Sequence, residues 1–367
     1  MQGGHRTTEK IIWRSRNHTL VHGGIWNDCL LKRVIMPESS NNNLILGCLA
    51  ACAAGVVGFG LLYYAVFRRS RRQYAPVGVV SRIFVHPIKS CRGLEVTEAD
   101  CVSLGISSDG VLDRSFIIVD EEGRLVSQRV YPSIALIIPT LSEDRRSLLI
   151  NAPGMPTLQV PLAEQGGAIG DVRVFRLGLK GEDCGPEASQ WLNQYLGKPR
   201  FRLMRHLDRL GGKVLSDDSK WGHKAKSHER AVYQDLSQVN ILGEKSLEQL
   251  NSHLDEPVTI RNFRPNIVVQ CETAHEEDKW KYVRIGDSAL MRITHKCDRC
   301  MLTTVDQDKG KFIQNGDPLA TLKKIRMAPP DSPDKKSHGS SPLFGVNLAV
   351  ESTGAIKLGD VVYASMD

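Results

Sequence analysis

Residues 44–67, LILGCLAACAAGVVGFGLLYYAVF, carry no charged side chain. No other feature limits the fold as much. At about 1.5 Å per residue, a helix of this length covers a hydrocarbon core of roughly 30 Å. A secretory signal has a shorter apolar core, about 7–15 residues, close to the N-terminus, whereas residues 1–43 precede this run. A buried core helix keeps polar residues on one side, and this run has no charge on any side. The expectation is a single-pass membrane anchor over 44–67. RRSRR (68–72) follows directly, with Tyr63 and Tyr64 near the same end. A cationic flank stays on the cytosolic side, which places the larger C-terminal part in the cytosol. Ala51 and Gly55, like Ala54 and Gly58, have the small-xxx-small spacing that lets helices pack closely.

Charge sharpens this division. Residues 1–75 hold ten Lys/Arg against three acids, which accounts for the whole formal net charge of +7. The remainder is balanced at 38 basic and 38 acidic side chains, so it offers no basic face for nucleic acid. The nine cysteines are an odd number in a chain too long to need staples. They read as reduced thiols in a cytosol-facing compartment. Residues 1–43 form a polar extension with Trp13 and Trp26 but no periodicity, ending in SSNNN. Met36 stands just before that stretch and is a second candidate start.

From Val77 the pattern turns to strands. GVVSRIFVHP and RSFIIVD are β-branched and aromatic runs, and DEEGRL (120–125) reads as a hairpin with Gly123 at its turn. ALIIPTLSEDRRSLLINAP reads as two strands around a charged turn. CGPEASQWLNQYLGKP (184–199) reads as a helix, with Pro186 in its first turn and Gly197 and Pro199 as its stop. The polar stretch 208–230 is too long for a simple connector, so it is a functional loop or a boundary. Beyond it come a helix over EKSLEQLNSHL (244–254) and strands at NIVVQC, KYVRIG, ALMRIT and MLTTVD. PLATLKKIR follows as a short helix, PPDSPDKKSHGSSP as a polar loop, and FGVNLAVE and DVVYAS as closing strands. The expected class is mostly β (α+β), built from barrels or sandwiches rather than a doubly wound sheet.

The chemistry-bearing stretch is ITHKCDRCMLTTVD (293–306). Cys297 and Cys300 supply two of the four ligands a structural zinc needs, and His295 could be a third. A dithiol redox pair would open a helix after a strand, whereas MLTT looks strand-like. Spacing alone favours inert thiols. However, Lys296 and Arg299 flank the pair, and a thiolate beside fixed positive charge is a good soft-metal ligand. HPIKSCRG (86–93) puts Lys89 and Ser90 after a strand and before a glycine, where an ammonium and backbone N–H groups could hold phosphate. NFRPN fixes Arg264 ahead of Asn266, and LDRSF places Arg114 just before a buried strand. Each of these taken singly is also an ordinary loop residue.

Together, HPIKSCRG, LDRSFIIVD, NFRPNIVV, CDRCMLTTVD, PLATLKK and SPLFGVNLAV…GDVVY, in this order, resemble the MOSC-domain proteins that carry an N-terminal β-barrel partner domain. Within them the chain most resembles the mitochondrial amidoxime-reducing components, which have an N-terminal anchor. The likeness covers about residues 44–367. It implies a 68–76 basic linker, an N-terminal β-barrel domain over 77–207 and a MOSC β-barrel domain over 208–367, packed on each other and preceded by one transmembrane helix.

The resemblance also implies Mo-molybdopterin, a molybdenum held by one pterin dithiolene. Cys300 would be the protein thiolate on the metal, with Cys297 a neighbour. Lys89, Ser90 and Arg114 match positions that hold the pterin and its phosphate. Arg264, Asn266, Asp298 and Arg299 match the pocket lining. Asp235, Leu236 and Ser237 match the loop flanking the metal, with Asp235 expected to orient substrate or deliver a proton. Asn347 falls in SPLFGVN where relatives usually have an aromatic near the cofactor. The implied reaction is two-electron reduction of N-oxygenated compounds: amidoximes, N-hydroxyguanidines, hydroxylamines, and N-oxides or nitrite. Electrons would come from NADH through a flavin reductase and cytochrome b5, at the mitochondrial outer membrane; peroxisome and endoplasmic reticulum are the alternatives. The rival implication is a sulfur-transfer or cofactor-carrier protein using Cys300, since MOSC domains also occur in cofactor sulfurases; no pyridoxal-phosphate domain accompanies this one.

Overall fold

The computed structural model describes residues 72–175 and 177–367. The polar extension over 1–43 and the anchor expected over 44–67 lie outside the described residues. Among those described, no helix is long and apolar enough to cross a membrane.

Seven strands close into a barrel: β1 (Ala75–Val85), β2 (Val239–Gly243), β3 (Ile267–Gln270), β4 (Tyr282–Ile285), β5 (Ala289–Asp298), β6 (Leu343–Ser352) and β7 (Val361–Ser365). Their order is β3-β2-β6-β5-β4-β7-β1, and β1 returns to pair with β3, which seals the cylinder. All neighbours are antiparallel except β2 and β3, joined by the helix Glu244–Asn251 and a 3-10 turn. Alternating apolar residues fill the interior: Val80, Ile83, Ile241, Ile267, Val269, Val283, Ile285, Met291, Val346, Leu348 and Val362. Strand β1 comes from the start of the described chain and the other six from beyond residue 238, so strand pairing runs across position 207.

The segment between holds its own core. A four-stranded sheet runs Ile169–Val174, Leu177–Asp183, Arg202–Arg205, Phe116–Val119, and a three-stranded one runs Ile138–Leu141, Ser147–Asn151, Leu158–Pro161. The helix Pro186–Leu196 buries Ala188, Trp191 and Leu192 against them and stops at Gly197, in the left-handed region at φ 66°.

Two expectations change. MLTT is a 3-10 turn (Met301–Thr304), not a strand. Its threonine hydroxyls donate back to the chain, Thr303 Oγ1 to Cys300 O at 2.9 Å and Thr304 Oγ1 to Met301 O at 2.7 Å. Such local bonds override β-branched preference. The expected polar loop at 329–342 contains a short helix, Pro333–His338, capped by the Ser332 hydroxyl accepting from Lys335 N. The 208–230 stretch also has structure: Lys213–Val214 pairs with Arg230–Ala231, and Trp221 is buried between them in sequence.

Candidate cofactor and substrate cavity

One cavity of about 150 Å³ is lined by all twelve residues singled out from the sequence: Lys89, Ser90, Arg114, Asp235, Leu236, Ser237, Arg264, Asn266, Asp298, Arg299, Cys300 and Asn347. The fold delivers them from five places: the loop after β1, the turn before Phe116–Val119, the loop before β2, the turn before β3, and the end of β5 with its partner β6.

The loop side is made under backbone strain. Ser90, Arg114 and Arg264 have φ 73°, 56° and 54°, values that side chains other than glycine seldom adopt. Backbone bonds lock them: Lys89 N donates to Phe116 O at 2.8 Å, Arg114 N to His86 O at 2.6 Å, and Gln128 Nε2 to Ser90 O at 2.5 Å. Lys89 is buried and paired with the Asp235 carboxylate. Burial pulls the Lys89 ammonium below its usual range, against the pull of Asp235. Burial acts to raise the Asp235 carboxyl, but Lys89, its hydrogen bond, Arg129 and Lys213 outweigh this and hold it at about 2. These contacts favour the ionised form of the Asp235 carboxyl. Its loop is held from below by Lys213 Nζ, which donates to Gln234 O and Asp235 O at 2.7 and 2.5 Å. Arg264 donates from Nη1 to Cys91 O at 2.6 Å, while its buried Nη2 has no partner. Burial and the neighbouring Arg114 bring this guanidinium down to about 10.

The barrel side is internally satisfied. Arg299 donates from Nε to Phe344 O (2.8 Å), from Nη1 to Phe263 O (2.8 Å) and from Nη2 to Asn240 Oδ1 (3.3 Å). Gly345 makes room for it: at φ 77°, a Cβ there would stand 2.7 Å from Ile241 O and 3.3 Å from Arg299 Nη2. Asn266 Nδ2 donates to Phe84 O at 3.2 Å and its Oδ1 accepts from Asn240 N at 3.1 Å, tying β1, β2 and β3 together. Asn240, Asn347 and His295 stand opposite one another on β2, β6 and β5. Asn240 Nδ2 donates to Asn347 Oδ1, and Asn347 Nδ2 donates to His295 Nε2, each at 3.0 Å. His295 stacks on Trp221, ring centroids 4.1 Å apart. Asn347 thus lines the cavity and serves the wall.

The two cysteines are unequal. Cys300 is an exposed free thiol at the 3-10 turn after β5, while Cys297 is half-buried and burial raises its thiol, against the pull of Arg299. Among the described residues no group of three His, Cys, Asp or Glu is placed to hold a metal. A tetrahedral zinc site of side chains alone therefore has no ligand set there.

Sequence reading passed over several lining residues: Arg129, Ser127, Gln234, Asn240, Asn262, Phe263, Leu302 and Thr303. Arg129 sits in SQRVYP, with no glycine or proline beside it to mark a special backbone. With Arg129 included, five cationic residues line the cavity against Asp235 and Asp298, an anion-attracting field.

Comparison with known proteins gives the same grouping. The MOSC N-terminal beta barrel domain profile matches residues 77–199 and the MOSC domain profile residues 228–363. The chain is 37% identical over 321 residues to mitochondrial amidoxime reducing component 2 of Rattus norvegicus, covering 87% of this chain and 93% of that protein. Against component 2 of Bos taurus it is 40% identical over 294 residues, covering 80% and 85%. Against component 1 of Homo sapiens it is 35% identical over 349 residues, covering 93% and 98%. The chain belongs to the MOSC-domain family of mitochondrial amidoxime-reducing components.

Proposed function

We propose that the protein is a molybdenum-dependent reductase of N-oxygenated compounds, above all amidoximes, N-hydroxyguanidines and hydroxylamines. The observation that carries this reading is one exposed free thiol, Cys300, in a cavity lined by cations. The residues fit an anionic, sulfur-ligated cofactor. Arg264 Nη2 is a buried donor without a protein acceptor, and the thiol offers the soft ligand such a metal prefers. Lys89, Ser90, Arg114 and Arg264 would hold the pterin phosphate end, and Cys300 the metal. When bound, the molybdenum–pterin group supplies two-electron reduction with removal of the oxygen from nitrogen.

The chain's own residues then bind, orient and exclude. Asp235, ionised and braced by Lys89, accepts N–H from substrate rather than giving up a proton. Electrons would arrive from NADH through a flavin reductase and cytochrome b5. Residues 44–67 would tether the protein to the mitochondrial outer membrane, with the folded part in the cytosol, where confinement with anchored partners raises their effective concentration.

The test is molybdenum content together with turnover of benzamidoxime by NADH, reductase and cytochrome b5. Wild type should hold about one Mo per chain and turn over. Cys300→Ser should lose activity by about 100-fold or more, in line with removal of a metal ligand, while Cys297→Ser retains most of it. Equal loss from both variants would overturn the division of roles. A persulfide on Cys300 without turnover would instead mark a sulfur carrier.

A further inference from the structure

One cation of the cavity wall keeps its hydrogen-bonding capacity unused. Among the described residues, no acceptor takes a hydrogen bond from the Arg129 guanidinium, and its buried Nε has no partner. Its nearest carboxylate is that of Asp235, Nη2 to Oδ2 at 4.0 Å, beyond hydrogen-bond reach. Asp235 is gripped by Lys89 through Oδ1 alone, so Oδ2 is an open acceptor beside an open donor.

Arg129 is nonetheless held in place. The Phe175 ring lies 5.1 Å from the guanidinium carbon. Phe175 is 53% exposed and has φ 56°, in the turn joining the paired strands Ile169–Val174 and Leu177–Asp183. An aromatic side chain in a left-handed turn, largely in solvent, works against both its backbone preference and its hydrophobicity. The cation–π contact is what that placement gains. It steadies the guanidinium without occupying its N–H groups.

We propose that Arg129 and Asp235 form the substrate-reading pair of this cavity. The Asp235 Oδ2 accepts from an N–H of the substrate, and the Arg129 guanidinium donates to the oxygen carried by the neighbouring nitrogen. This rests on the reductase reading above and narrows it. The complementary group is planar and carries an N–H donor beside an N–O oxygen, as amidoximes and N-hydroxyguanidines do. Tertiary amine N-oxides and nitrite have no N–H, so they engage Arg129 alone and bind more weakly. Substrates that satisfy both partners are favoured because a substrate that covers one of them without pairing it loses that hydrogen bond.

The experiment compares wild type, Arg129→Gln, Arg129→Lys and Asp235→Asn, as molybdenum-loaded full chains, with benzamidoxime and with trimethylamine N-oxide. Binding of both compounds is read by calorimetry and turnover by steady-state kinetics. Loss of a hydrogen bond from a charged donor predicts about 10- to 100-fold higher Kd and KM for benzamidoxime in Arg129→Gln. Molybdenum content should be unchanged and kcat should move less than KM, with Arg129→Lys intermediate. Asp235→Asn should weaken benzamidoxime more than the N-oxide, so that the ratio of the two Kd values shifts about 10-fold toward the N-oxide. An unchanged benzamidoxime Kd in Arg129→Gln, or equal loss for both compounds in Asp235→Asn, overturns the pair. No turnover by wild type of either compound overturns the reductase reading, and the calorimetry still decides the pair.

Discussion

The two sides of the cavity use the same kinds of side chain in opposite ways. On the barrel side, Asn240, Asn266, Asn347 and Arg299 satisfy one another and the neighbouring carbonyls. On the loop side, Ser90, Arg114 and Arg264 sit at strained backbone angles, and Arg129 and Arg264 each keep a buried nitrogen without a partner. The barrel side is complete without a ligand, whereas the loop side is completed by one. Arg299 and Arg264 make the point: both are buried arginines lining the same cavity from opposite sides, yet every side-chain nitrogen of one is engaged by the protein and Nη2 of the other is not. A change on the barrel side should appear as lost stability, and a change on the loop side as lost binding.

The sharpest way to break that contrast is Arg299→Leu. It leaves the carbonyls of Phe344 and Phe263 and Oδ1 of Asn240 buried with one donor fewer, at about 1–3 kcal/mol for each group left unsatisfied. Together this should lower the melting temperature of the cofactor-free protein by about 10 °C. A melting temperature close to that of wild type would move Arg299 to the receptive side.

Acid should expose the next effect. Burial, helped by nearby arginines, holds His86 at about 3 and His275 at about 4, and burial holds His295 at about 3. In the unfolded chain histidine titrates near 6.5. Between about 6.5 and about 3–4 the unfolded chain therefore takes up protons that the folded one refuses, so stability falls as pH falls through that window. The Asp235 carboxyl, held at about 2, adds a further loss from about 4 downward. Urea midpoints at pH 7.5, 6 and 5 should decline in that order, and a flat series would show that these imidazoles are not locked neutral. A shallower decline in His295→Phe, which keeps an aromatic against Trp221, would assign part of the slope to the barrel side.

Most of the barrel is legible in the sequence because its strands stand out as apolar, largely β-branched runs, as in NIVV and FGVNLAV. That it closes with β1 is not, because ring closure depends on pairing between residues far apart, such as Val80 with Val269. At the cavity, residues in short motifs punctuated by glycine or proline, or inside C-x-x-C, stand out, as Lys89 in HPIKSCRG, Arg264 in NFRPN and Cys300 do. Arg129 and Asn240 do not, since only tertiary packing brings them to the wall. The internal division of labour is also hidden: Arg264 in NFRPN and Arg299 in CDRC read alike as arginines of short polar motifs, and only their hydrogen-bond partners separate them. MLTT misleads for a related reason, because a hydroxyl bonding back to a carbonyl cannot be told in advance from a hydroxyl on a strand.

The smallest effect tests whether the loop side is held under tension. Ser90 sits at φ 73° with its backbone fixed by Gln128 Nε2 and by the neighbouring bond from Lys89 N to Phe116 O. Neither contact uses the Ser90 side chain, so Ser90→Gly and Ser90→Ala both keep them and both lose the hydroxyl. They differ in the backbone alone. Alanine still pays the left-handed penalty, about 1–2 kcal/mol, while glycine does not, and the greater freedom of glycine in the unfolded chain returns about 0.4–1 kcal/mol. The glycine variant should therefore be more stable than the alanine variant by up to about 1.6 kcal/mol, a few degrees of melting temperature at most for a chain of this size. Both should lose cofactor affinity to the same extent. If alanine proves as stable as glycine, residue 90 is not strained, and the loop side differs from the barrel side in its unpaired donors only.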